Sequence, residues 1–94
     1  MVELVVKFVP GGATENSWIT IDDIDVKLGA GNKGKVEVTD DPDHSVSMWF
    51  KGMPGSTISY EILQELNSLA KGKATISSGQ KFGYLSGAFK LHAA

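Results

Sequence analysis

Apolar and polar residues alternate with a period of two along most of this chain, the spacing of strands that bury one face. The pattern is clearest over residues 45–62. Val46, Met48 and Phe50 alternate there with Ser47, Trp49 and Lys51, and Ile58, Tyr60 and Ile62 alternate with Thr57, Ser59 and Glu61. Between the two runs, Gly52-Met53-Pro54-Gly55-Ser56 supplies two glycines and a proline. The pattern predicts a strand, a turn and a returning strand. Upstream, Val2, Leu4, Val6 and Phe8 mark a strand over 2–9. Val5 and Val9 are apolar as well, which predicts a central strand covered on both faces.

The remaining elements follow the same rules. Pro10-Gly11-Gly12 ends the first strand, and residues 13–16 read as loop. Residues 18–21 and 24–28 read as a hairpin turning at Asp22-Asp23, with Ile24, Val26 and Leu28 inward, since Asp tolerates the left-handed conformation. Residues 29–34 form a glycine-rich turn, after which Val36 and Val38 point inward from a short strand. Asp41-Pro42 suits the first two positions of a type I turn. Residues 73–77 read as a short strand and 85–91 as a last one, with Leu85, Phe89 and Leu91 inward.

The pattern changes at Leu63. Ile58, Ile62, Leu66 and Leu69 fall at helical spacing, LQELNSLAK is rich in helix formers, and Gly72 suits a C-terminal stop. The reading is a strand over 57–62 followed by a short helix over 63–71. Its alternative is one helix over 56–71 packed on an antiparallel sheet, an α+β fold. The fold class expected is mainly β: a small antiparallel sandwich or barrel-like domain of about seven short strands with one short helix. The TIDDIDVKL hairpin, the DPDH turn and the G-x-P-G turn together resemble small immunoglobulin-like modules in architecture alone. The Cys–Trp–Cys signature of antibody domains is absent, and no family follows from the likeness.

Ninety-four residues make one domain over 1–94, large enough for a single modest core. An apolar fraction of 41% and a charged fraction of 21% are those of a folded chain, so disorder is not expected. All nine basic residues are lysine and the net charge is −2. A basic footprint and the bidentate arginine of base recognition are both missing, which argues against a nucleic-acid partner. With no cysteine, disulfides, thiolate catalysis and thiolate zinc sites are ruled out. MVELVVKFV lacks the basic start of a secretory signal, and no apolar run approaches the ~20 residues of a membrane span. The expectation is a cytoplasmic protein without a membrane partner.

Candidate chemistry is sparse. Gly29-Ala30-Gly31-Asn32-Lys33-Gly34-Lys35 matches G-x-G-x-x-G and nearly matches a phosphate loop. Strand rather than helix follows it, and Val36 stands where the metal-binding hydroxyl belongs, so it reads as a hairpin turn. Asp22, Asp23, Asp25, Asp40, Asp41 and Asp43 gather in two turns and are weak candidates for calcium, although neither turn matches a calcium loop. His44 and His92 are the only histidines. No nucleophile motif accompanies them, because Ser86 sits one place late for G-x-S-x-G. Neither catalysis nor a cofactor is expected.

The stronger lead is aromatic: Trp18, Trp49, Tyr60 and Tyr84. Strand alternation puts Trp49 opposite Val46, Met48 and Phe50, and Trp18 out of phase with Ile19 and Ile21. A tryptophan on the polar side of a strand serves as a protein anchor or a sugar-stacking platform, or else caps the sandwich edge. Trp49, Met53 and Trp18 are therefore the candidate binding residues. The expected role is a non-enzymatic binding or structural module that contacts an unknown protein partner, or its own copy, through a sheet face or edge. A carbohydrate or other small ligand is the alternative.

Overall fold

Among the described residues the alternation resolves into eight antiparallel strands in two packed sheets. The computed structural model describes residues 1–11, 14–27 and 32–91. The strands are β1 (Val2–Gly11), β2 (Thr14–Ile21), β3 (Ile24–Asp25), β4 (Lys33–Val38), β5 (Asp43–Gly52), β6 (Thr57–Gln64), β7 (Asn67–Thr75) and β8 (Phe82–Lys90). One sheet has the order β4-β1-β6-β7 and the other β3-β2-β5-β8. Both remain open, so the architecture is a sandwich and not a closed barrel. The shortest dimension, 20 Å, accommodates two sheets ~10 Å apart with side chains on both outer faces.

Inward residues of the two sheets form one buried cluster. Leu4, Val6, Phe8, Ile58, Tyr60 and Ile62 come from the first sheet, and Ile19, Ile21, Val46, Met48, Phe50 and Phe89 from the second. Each fully buried aliphatic or aromatic side chain contributes roughly 1.5–3 kcal/mol. That term is what makes the period-2 pattern decisive. Two turns hold the sheets in register. Asp22 and Asp23 have φ of 51° and 66°, the pair of positive values that a two-residue type I′ hairpin requires. Across Met53-Pro54-Gly55-Ser56 the Ser56 amide donates to the Met53 carbonyl at 3.0 Å. Gly55 has φ of 91°, which with Pro54 before it makes a type II turn.

The expected helix over 63–71 is absent, and with it the longer alternative over 56–71. β6 continues to Gln64, Glu65 and Leu66 turn, and β7 returns, pairing Gln64 with Asn67. The helical spacing misleads because Leu66, one of its apolar positions, stands at the hairpin tip, 96% exposed. Tyr60, which a helix would carry away from Ile58 and Ile62, is buried between them as strand alternation demands. Pairing of β6 with β1 on one side and β7 on the other supplies the backbone partners that a helix would have found internally.

Smaller corrections share that origin. The strand expected over 73–77 is instead β7, which begins at Asn67 and ends at Thr75, and the strands number eight among the described residues. Residues 14–16 extend β2 instead of forming loop. β1 is central in its sheet, yet Val9 is exposed, so only one face is covered. Ile24 is exposed while Val26 is buried, because β3 stops at Asp25. Leu28 and residues 29–31 of the glycine-rich turn lie outside the described residues.

Candidate functional site

Register places the exposed aromatics in a row. Trp18 of β2 stands opposite Trp49 of β5, and Trp49 stands opposite Tyr84 of β8. Strands lie ~4.8 Å apart, so the row spans about 10 Å across three strands. The Trp49 and Tyr84 ring centroids are 5.5 Å apart at 50°. Trp18, Trp49 and Tyr84 are 50%, 39% and 56% exposed on the outer face, whereas Met48 and Phe50, the neighbours of Trp49 in sequence, are fully buried. Phe82, opposite Lys51 in the next row, and Met53, just beyond β5, extend the apolar surface at that end.

Four of the chain's eight aromatic residues therefore stand on the outside of one sheet. Cross-strand aromatic pairs do stabilise a sheet, by up to ~1 kcal/mol each. They do so equally well inside a core, so stability alone does not account for half of the aromatics facing water. With ~150–250 Å² per side chain about half exposed, the patch with Met53 comes to roughly 500 Å², near the largest patch of an ordinary monomer.

Sequence reasoning reached Trp18, Trp49 and Met53 but placed the last strand at 85–91, which left Phe82 and Tyr84 off the face. Gly83 and Gly87 conceal the alternation there. The inner face of β8 needs glycine at 83 because the fully buried Phe50 ring occupies the space that a Cβ would take. Tyr60 belongs to the core and not to this face.

The aspartates do a different job. The type I′ turn aims the Asp22 carboxylate at the start of β5, where Oδ1 accepts the Ser45 N–H at 2.9 Å and Oδ2 meets His44 Nδ1. His44 Nε2 faces the Asp41 carbonyl at 2.6 Å, and the ring stacks on Phe89 at 5.7 Å. The His44 side chain is buried with both ring nitrogens facing acceptors, an arrangement that favours the imidazolium, the form with two N–H donors. Burial opposes that charge, but the Asp22 and Asp41 hydrogen bonds and the two carboxylates outweigh it, so the His44 pKa lies above its ordinary value. Burial likewise opposes the Asp22 charge, and its bonds to His44 and Ser45 overcome this to hold its carboxyl below the usual range. Histidine, aspartate and serine meet here, but no ring nitrogen is left to activate a nucleophile. The pair pins the β2–β3 turn to β5.

Among the described residues no group of three acidic or histidine side chains is placed to hold a metal ion. Asp40 pairs with the N-terminal amine at 3.5 Å and Asp43 with Lys90 at 3.5 Å, while Asp23 and Asp25 are exposed. His92 lies outside the described residues. Of the glycine motif, Gly34 is buried in β4 close against the Lys27 carbonyl, which fits a tight strand contact and not a phosphate cradle. Among the described residues, no helix is long and apolar enough to cross a membrane.

The outer face of the other sheet carries Lys7, Lys33, Lys35, Lys71 and Lys73 with Glu3, Glu37 and Glu61 among them. A shallow depression of about 500 Å³ lies between Lys7, Glu61, Lys71 and Lys73. A Ser68 hydrogen bond, aided by Lys71 at 3.5 Å, holds the Glu61 carboxyl below its usual range. Comparison of the chain with protein-family models, curated proteins and solved structures finds no match.

Proposed function

We propose that this protein is a non-enzymatic binding module that contacts another protein through the outer face of the β3-β2-β5-β8 sheet. The aligned row Trp18–Trp49–Tyr84, open to solvent across three strands, is the observation that supports the reading. Tryptophan and tyrosine dominate interface hot spots because they remove much apolar area from water at little conformational cost. Phe82 and Met53 beside the row add an aromatic and a flexible thioether, the residue types that protein interfaces concentrate. The immunoglobulin-like likeness enters only as two packed antiparallel sheets used as a scaffold. The strand order itself differs from that of an antibody domain.

A second reading, a polysaccharide ligand, is favoured by one feature. Thr20, Ser47 and Ser86 form a hydroxyl row immediately beside the aromatic one, so stacking and hydrogen bonding are available side by side.

Immobilised wild type and the variants Trp49→Ala and Tyr84→Ala, each shown to be folded, would separate the two. A protein retained stoichiometrically by wild type, and bound at least about 30-fold more weakly by both variants, fits a hot-spot loss of ~2 kcal/mol. Retardation of wild type but not Trp49→Ala in gels cast with soluble polysaccharides transfers the site to the glycan reading. Equal behaviour of all three proteins in both assays removes the face from consideration.

A further inference from the structure

The four sheet edges differ in how they are protected against pairing with another chain. β3 is only two residues long, β4 carries Lys33 and Lys35, and β7 carries Lys71 and Lys73 next to a register shift. Short length, lysines and bulges are the usual defences of an edge. β8 has none of these over Phe82–Phe89. It is nine residues long, its register with β5 is continuous, and its first charge is Lys90 at the end. Among the described residues no strand pairs with its other side.

Backbone direction follows from two bonds. Gly52 N–H donates to the Lys81 carbonyl at 3.1 Å and Leu91 N–H to the Pro42 carbonyl at 2.9 Å. Odd-numbered residues of this strand thus turn their backbone groups toward β5. Phe82, Tyr84, Ser86, Ala88 and Lys90 turn theirs toward the open edge.

We infer that β8 pairs antiparallel with β8 of a second copy of this chain, about a two-fold axis through Ser86. In that register Tyr84, Leu85 and Phe89 each stand opposite a small residue. Tyr84 faces Ala88 of the second copy on the outer side, while Leu85 faces Gly87 and Phe89 faces Gly83 on the inner side. Phe82 faces Lys90, an aromatic–cation pair, and no like charges oppose each other. A shift by two residues would instead set Leu85 against Leu85 and Gly83 against Gly87, losing this fit. The pairing forms up to about ten main-chain hydrogen bonds and joins the sheets into one of eight strands. A strand about 30 Å long along a sheet edge buries only about 600 Å² in total, which makes the association weak. Because the axis is perpendicular to the sheet, both aromatic rows face the same way. Phe82 and Tyr84 belong to both surfaces, but Trp18 and Trp49 stand on β2 and β5 away from the edge. The Trp49→Ala test of the face and the Ser86 test of the edge can therefore each fail without the other.

Ser86→Lys places two lysines across the axis, and Ser86→Pro removes an N–H aimed at the open edge without touching the bonds to β5. Sedimentation velocity from about 1 to about 500 µM brackets the association expected of so small an interface. Wild type should rise from 10.0 kDa toward twice that mass. Both variants should stay monomeric with unchanged circular dichroism, and Trp49→Ala should dimerise like wild type. In wild type alone, the amides of Tyr84, Ser86 and Ala88 should gain hydrogen-exchange protection as concentration rises, a readout that needs no variant to fold. A wild type that remains monomeric throughout, or a Ser86→Pro variant that dimerises equally well, overturns the assignment.

Discussion

Asp22→Asn isolates the charge of the His44 pair while keeping its shape. Asparagine tolerates the positive φ of this turn position, and its amide oxygen can still accept the Ser45 N–H. What it removes is the anion beside Nδ1. His44 can then sit neutral, with Nε2–H donating to the Asp41 carbonyl, and only the Asp41 carboxylate remains to oppose the effect of burial. A hydrogen bond to a charged group contributes ~1.5–3 kcal/mol and a neutral one ~0.5–1.5. The difference belongs at the low end, about 1 kcal/mol, because the Asp22 side chain is 34% exposed and water screens it. For a domain of this size that corresponds to a Tm lower by roughly 4–8 °C.

The effect must depend on pH in a defined sense. A raised His44 pKa stabilises the fold fully below the unfolded value of 6.5 and ceases to do so as pH climbs through the folded value. A lowered Asp22 pKa stabilises fully above 3.8 and is lost as pH falls through the folded value beneath it. The pair therefore contributes most between about pH 4 and 6.5. Melting curves of wild type and Asp22→Asn from pH 3 to 9, followed by far-ultraviolet circular dichroism, should show their widest gap inside that window. The gap should narrow on the alkaline side. Curves that run parallel across the whole range, or a proton-resonance titration of His44 with its midpoint below 6.5, would falsify the imidazolium assignment.

Two further substitutions probe the frame that holds the aromatic face. Gly83→Ala drives a methyl group into the Phe50 ring and should cost roughly 1–3 kcal/mol, read as a lower urea midpoint at unchanged slope. Glu65→Gly relieves a positive φ of 56° at the β6–β7 turn and should raise stability by about 0.5–1 kcal/mol, the strain relief slightly exceeding the added unfolded-state entropy. A lower midpoint for that variant would mean that Glu65 makes compensating contacts in the turn.

The contrast between Asp22-Asp23 and Glu65-Leu66 shows where sequence reasoning worked. Both pairs make two-residue hairpin turns. Aspartate advertises its tolerance of the left-handed region, so the first turn was legible. Glutamate and leucine do not, and their helix propensity pointed the other way. Tertiary pairing then overrode local preference, since β6 found partners on both sides. The site was half legible for a related reason. Trp18 and Trp49 lie on strands whose inner faces are rich in aliphatic residues, so their outward direction could be read by parity. Tyr84 and Phe82 lie on a strand whose inner face includes Gly83, where the Phe50 ring takes the place of a side chain, and Gly87. Parity cannot be read from residues without side chains.

Both tryptophans of this chain lie on the outer face, and neither belongs to the core. Their emission should be red-shifted and open to quenching by acrylamide in the native protein, and it should change little on unfolding. Intrinsic fluorescence is thus a poor monitor of this fold. It is, for the same reason, a label-free optical sensor of whatever covers the sheet: a blue shift with loss of quenching would record occupancy of the aromatic row without any alteration of the chain.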